Sequence, residues 1–340
     1  MERAETSPNL IPAWHRERIG HPSVKRAIRP PGMGRSLADG LIRGLEATVF
    51  WGLTRLPDFW AHSPASGIGF LQRAGAKTRG IARMQSVLGA DAYDPAGWSR
   101  LWTGHLRHVG LTAIEGLRFG MMNRTQLLDR VNLTGEEHLR AALDRGRGAM
   151  LFITHLGSLG AIPAALGPRG YDISITGNAM SRPSLERKVS ELYAHGGVER
   201  ILVGDQLPSR AARVFRRNGV LASFVDYTVV DRLNDWLPFG RAELKTNLGP
   251  ALLALRNRAP VLYVECRRRG EGDFELRVSP LAAKAIDGDP MADARSVTQA
   301  AIARLAGEIE GRPEEWWPWD CTQVRPRRSG SAAPAAPRVH

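Results

Sequence analysis

Three features of the sequence specify an α/β fold, with a mostly parallel central sheet flanked by helices on both faces and a helical N-terminal region. After Gly148, short apolar runs alternate with amphipathic stretches, the pattern of strand–helix–strand units. Those runs are continuously apolar, as strands covered on both faces require. From Leu37 to about Leu143 the apolar residues instead recur at helical spacing, as in Leu101, His105, Val109 and Ala113.

In chain order, residues 1–35 read as a disordered basic arm: Arg16, Arg18, Lys25, Arg26 and Arg29 stand among prolines, without the apolar core of a signal peptide. Residues 36–145 form the helical region. Within it Leu37, Leu41, Leu45, Val49 and Leu53 make one stripe, interrupted by Asp39, Arg43, Glu46 and Arg55, so this is an amphipathic helix that rests on lipid or packs on the domain, not a membrane span. Residues 146–322 form the α/β unit, with strands expected at 149–154, 172–176, 200–203, 220–225, 261–266 and 274–278. Helices fit near 183–194, 208–217, 249–257 and 293–310. Residues 323–340, rich in Arg, Ser, Ala and Pro, read as a disordered tail.

The chain has 340 residues, 43% of them hydrophobic, and a formal charge of +13. That length sustains one large core or two smaller ones, and that charge favours an anionic partner such as a phospholipid surface, an acidic carrier or nucleic acid. Cys266 and Cys321 are far apart and suggest neither a disulfide framework nor a zinc site. No Walker A loop, G-x-G-x-x-G fingerprint or H-E-x-x-H helix occurs, so no metal or cofactor is implied. Gly157-Ser158-Leu159-Gly160 is not a G-x-S-x-G elbow, which disfavours a serine hydrolase. Basic residues spread along the chain without a recognisable motif disfavour nucleic acid as the partner.

The run Ala149–Ile153 delivers Thr154 and His155 into a small-residue turn at Gly157 and Ser158. A histidine at the end of a buried strand stands where α/β proteins place their chemistry, and imidazole exchanges protons near neutral pH. A capping role is the structural alternative. Asp226 stands at the end of a later strand, where it orients His155, holds Arg182 or caps a turn.

Several ordered elements extend this pattern: Leu133-Thr134-Gly135-Glu136, Gly146-Arg147-Gly148, Thr154-His155-Leu156-Gly157-Ser158, Ser181-Arg182-Pro183 and Leu237-Pro238-Phe239-Gly240. Thr246, Gly249-Pro250, Pro260-Val261 and Pro313-Glu314-Glu315-Trp316-Trp317-Pro318-Trp319 follow. In this order the chain, over about Val131 to Trp319, resembles the lysophospholipid and lipid A late acyltransferase family. The resemblance implies a glycerolipid acyltransferase-like fold and transfer of an acyl chain from acyl carrier protein or acyl-CoA to a hydroxyl of a membrane lipid or glycolipid. It implies His155 as general base and Asp226 as its acidic partner. Arg182, Ser158, Phe239, Gly240 and Thr246 are implied to be substrate-binding, with Thr246 also placed to cap the helix ending at Asn257. The implied location is peripheral, on the cytoplasmic face of an inner membrane with an anionic surface.

One position departs from the family. Its motif places a carboxylate five residues after the histidine, and this chain has Gly160 there. Either Asp226 supplies the charge and Gly160 leaves room beside the ring, or the protein is a catalytically impaired relative that binds lipid or acts as a scaffold. The tryptophans at 316, 317 and 319 close the core or sit at a lipid interface, and Arg267-Arg268-Arg269 reads as a solvated face or a contact for phospholipid or an acidic carrier.

Overall fold

A computed structural model describes residues 63–179, 183–228, 233–270, 272–281 and 289–327. Its elements begin with α1 (Ala65–Gln72), α2 (Lys77–Leu88), α3 (Pro95–Phe119) and α4 (Arg124–Arg130). There follow β1 (Val131–Thr134), α5 (Glu136–Leu143), β2 (Ala149–Ile153), α6 (Ala161–Leu166), β3 (Ile173–Gly177), α7 (Pro183–His195) and β4 (Glu199–Leu202). Next are α8 (Leu207–Arg216), β5 (Val220–Phe224), β6 (Asn234–Phe239), β7 (Ala242–Asn247), α9 (Gly249–Arg256), β8 (Val261–Arg268) and β9 (Phe274–Pro280). The chain then forms α10 (Pro290–Gly311), two short 3₁₀ turns (Pro313–Glu315 and Trp317–Asp320) and β10 (Val324–Pro326).

Seven strands form the central sheet in the order β1-β9-β8-β2-β5-β3-β4. The five from β8 to β4 are mutually parallel, and β9 with its parallel neighbour β1 runs against them. This is the mostly parallel α/β architecture that the continuous apolar runs predict. The central strand shows why the runs are continuous: Met150 and Phe152 enter the core on one face, and Ala149, Leu151 and Ile153 enter the core on the other. All five side chains are buried, so neither face of β2 tolerates a polar residue.

The helix α10 begins three residues before the expected 293 because Asp289 accepts from the backbone N–H groups of Met291 and Ala292 and Pro290 opens its first turn. Three sequence expectations need correction. The sheet does not start after residue 146, since β1 already pairs with β9 and the expected helical region therefore supplies an edge strand. The tail does not begin at 323, because β10 pairs with β7. The segment 234–247, absent from the expected strands, is the β6–β7 hairpin of a three-stranded antiparallel sheet, order β10-β7-β6. Pro238 is tolerated there because β6 is an edge strand. The basic arm 1–35, the amphipathic stretch 37–56 and the tail beyond 327 lie outside the described residues. Among the described residues, no helix is long and apolar enough to cross a membrane.

The connections around β2 and β5 position the site. After β2 the chain passes into α6, which joins the core on one face, while after β5 it reaches α9, which packs on the other. Adjacent parallel strands whose connections leave to opposite faces open a crevice at their C-terminal ends. His155 and Asp226 each stand two residues past the end of one of these strands.

Candidate active site

Strand register brings the two residues together. Ile153 pairs with Phe224, and the ladder's last backbone bond runs from the Val225 N–H to the Ile153 carbonyl at 3.2 Å. Two residues further, His155 faces Asp226. The His155 Nδ1 lies 2.8 Å from Asp226 Oδ1, and the His155 backbone N–H donates to Oδ2 at 2.7 Å. A third donor arrives from the C-terminal segment, the Trp316 indole Nε1–H, at 2.8 Å from Oδ2. Asp226 is fully buried. A carboxylate taken out of water costs several kcal/mol unless donors replace the solvent, and here three do.

This pairing selects the tautomer with the proton on Nδ1 and turns the Nε2 lone pair away from Asp226. Among the described residues no partner is found for Nε2. The ring is 12% exposed. It stacks on Phe224, with centroids 4.0 Å apart, while Tyr227 meets it edge-on at 5.8 Å and Trp317 lies 6.0 Å away. The site therefore presents a base of fixed tautomer, held by aromatic surfaces, at the C-terminal ends of two adjacent parallel strands. Such an arrangement can take a proton from a hydroxyl and return it to a leaving group.

A strap from the C-terminal segment fixes the turn that carries His155. The Trp317 N–H donates to the His155 carbonyl at 3.0 Å and the Gly157 N–H to the Glu315 carbonyl at 3.3 Å, with Leu156 and Trp316 bridged antiparallel. Gly157 adopts φ +79°, and a Cβ there would stand 2.8 Å from the Cys266 carbonyl, so the turn needs glycine. Arg73 of the α1–α2 connection holds the strap's far side. Its guanidinium lies 3.9 Å over the Trp317 ring and 3.2 Å from Asp320. Neither Arg73 nor the Trp316 hydrogen bond was identified from sequence, because no local pattern ties them to a histidine far away in the chain.

The other expected site residues are less gathered. Ser158 is buried, its hydroxyl without a partner among the described residues. Phe239 is fully buried and packs on Trp316, centroids 5.1 Å apart, so it supports the strap rather than lining the crevice. Gly240 turns the β6–β7 hairpin against the Val87 carbonyl of α2. Thr246 does not cap the following helix. It is buried within β7 with its hydroxyl unpaired among the described residues, and Asn247 Oδ1 instead accepts from the Gly249 N–H at 2.6 Å. Arg182 lies outside the described residues.

The expected space beside Gly160 is not there. A Cβ at this position would lie 2.8 Å from the Phe119 ring and 3.2 Å from the Gly116 Cα, so α3 occupies the place of a side chain. Of the tryptophans, Trp316 and Trp319 are fully buried and belong to the core. The triple arginine is split by strand alternation: Arg267 and Arg269 are exposed, while Arg268 turns inward onto Glu115.

Comparison with known proteins shows the family. The model of the bacterial lipid A biosynthesis acyltransferase family matches residues 39–319. A phosphatidylinositol mannoside acyltransferase of Mycolicibacterium smegmatis is 25% identical over 332 residues, covering 88% of this chain and 99% of the relative. A protein of the same name from Mycobacterium tuberculosis is 27% identical over 243 residues, covering 70% of this chain and 73% of that one. A family match spanning most of the chain, on a mostly parallel α/β sheet, leads to one assignment: this protein is a member of the bacterial lipid A biosynthesis acyltransferase family.

Proposed function

We propose that this acyltransferase moves a fatty acyl chain from a thioester, carried by acyl carrier protein or coenzyme A, to a sugar hydroxyl of a mannosylated phosphatidylinositol, with His155 as general base and Asp226 as its orienting acid. The observation that carries the reading is the 2.8 Å contact between His155 Nδ1 and Asp226 Oδ1, which leaves Nε2 for the substrate. The acceptor class is taken from the two mycobacterial relatives, one of which aligns over nearly its whole length.

In the proposed reaction the hydroxyl oxygen attacks the thioester carbonyl as its proton passes to Nε2. The imidazolium so formed is stabilised by the buried Asp226 carboxylate. The tetrahedral intermediate then collapses, the C–S bond breaks, and the departing thiolate takes the proton back from Nε2. The products are an ester and a free thiol, with no net change in protonation. Arg182, which directly precedes Pro183 in the sequence, is the proposed cation for the donor's phosphate or for charge developing at the carbonyl. The formal charge of +13 supports peripheral attachment to the anionic cytoplasmic face of an inner membrane. Binding to vesicles containing anionic lipid is then expected to weaken as salt rises.

Incubation of the purified chain with radiolabelled palmitoyl-CoA or palmitoyl–acyl carrier protein, offered a phosphatidylinositol mannoside or a lipid A precursor, tests the acceptor. The proposal expects labelled ester on the mannoside. Ester only on the lipid A precursor would overturn the acceptor, and ester on neither would overturn the reading.

A further inference from the structure

We infer that Trp316 is a positioning residue of the acyl transfer: its indole N–H holds the Asp226 carboxylate in the plane and at the angle that His155 requires. This inference rests on the reading of His155 and Asp226 given above. Asp226 divides its donors unequally between its two oxygens. Oδ1 faces the ring nitrogen at 2.8 Å, whereas Oδ2 receives both the His155 backbone N–H and the Trp316 indole. The backbone bond fixes where the carboxylate sits relative to the loop. A carboxyl group held at one oxygen by one donor still rotates about χ2, a broad torsion. The second donor, coming from a different direction and a different part of the chain, removes that freedom.

The indole is itself immobilised. Trp316 is fully buried, with Phe239 tilted against it at 5.1 Å and Trp319 edge-on at 4.6 Å. Its backbone belongs to the strap bridged to Leu156, so one residue both closes the histidine turn from outside and grips the acid from beneath. Arg312 secures the base of the strap. Its guanidinium donates to the Cys266 carbonyl at 2.6 Å and pairs with Glu308 at 3.0 Å and Glu315 at 3.2 Å. The fold thus supplies a rigid donor where a flexible side chain would also have satisfied the hydrogen bond, which suits positioning better than packing alone.

The test compares the full-length protein with His155→Ala, Asp226→Ala, Trp316→Phe and the double variant Asp226→Ala/Trp316→Phe. Turnover of palmitoyl-CoA with a phosphatidylinositol mannoside is measured, with circular dichroism to confirm folding. Trp316→Phe keeps an aromatic ring and loses the donor, so kcat is expected to fall about ten- to a hundredfold while KM for both substrates stays within about twofold. In the Asp226→Ala background the same substitution is expected to change kcat by less than about threefold, because the group it positions is gone. Should Trp316→Phe fail to fold, replacement of Trp316 by the isosteric 3-benzothienylalanine removes only the N–H and is expected to give the same loss. Wild-type kcat in a folded donor-less variant, or an equal loss in the Asp226→Ala background, would overturn the inference while leaving the dyad intact. Unchanged activity in His155→Ala would instead overturn the reading beneath it.

Discussion

Of the histidine-centred clusters among the described residues, those around His108 and His155 differ most, and of this pair the second has the arrangement that the proposed chemistry needs. Around His108 of α3, both ring nitrogens are occupied by protein: Nδ1 faces Arg268 at 3.1 Å and Nε2 faces Thr112 at 3.3 Å. Arg268 in turn grips Glu115 with two bonds of 3.0 and 2.8 Å. Through Glu315 and Arg312 the cluster extends to Glu308 and Glu265. Burial, reinforced by the Arg268 charge, holds the His108 imidazole well below the usual histidine range. Around His155 one nitrogen is taken and the other is left to the crevice. Selecting the most perturbed of the described histidines would have chosen His108, whereas strand topology chooses His155. What separates them is an available lone pair at the end of parallel strands, and the paired charges of the first cluster act as ties between α3, β8 and α10.

The difference is sharpest in catalysis. His155→Ala is expected to lower kcat by roughly 10³-fold or more, by analogy with triad members elsewhere, with little change in melting temperature. A steady-state assay beside a thermal melt checks both halves. Loss of stability without loss of turnover would place His155 with His108 among the structural residues.

The opposite outcome is expected for the tie. Arg268→Met leaves Glu115, 2% exposed at its side chain, without its partner, which costs about 3–5 kcal/mol. Denaturant titration measures that loss, and turnover per folded molecule is expected to hold.

A smaller effect follows from Glu308. Burial and the facing Glu265 carboxylate raise its pKa to about 7, offset in part by Arg312, Tyr263 and Arg304. The folded state therefore holds this proton more tightly than the unfolded chain, so stability falls as pH rises from about 4.5 through 7. The full penalty, on the order of 3 kcal/mol, is present above that window. Glu308→Gln removes the titration, and its stability relative to wild type is expected to rise between pH 5 and pH 8. Parallel pH profiles for the two proteins would contradict this.

Sequence reasoning reached the two ends of the dyad and offered their contact as one of several roles for Asp226, among which local spacing does not choose. His155 is legible because a five-residue apolar run stops at a glycine-bounded turn, and Asp226 because it ends another such run. Their meeting depends on β2 and β5 being neighbours, a long-range pairing that no local spacing encodes. The β1 strand was invisible because four residues between two helices carry too little pattern. The inward turn of Arg268 follows from strand alternation only once β8 is known to run through residue 268. Gly160 was misread as open space because the residues that fill it, Phe119 and Gly116, belong to a helix some forty positions earlier.

The central claim is that the carboxylate serving His155 comes from the end of the neighbouring strand β5. It is tested most directly by kcat of Asp226→Asn, a substitution that keeps the volume and the contact to Trp316 and removes the charge. The account predicts a fall of about 10³- to 10⁴-fold in a protein that melts within a few degrees of wild type. Turnover equal to wild type in that variant would contradict it.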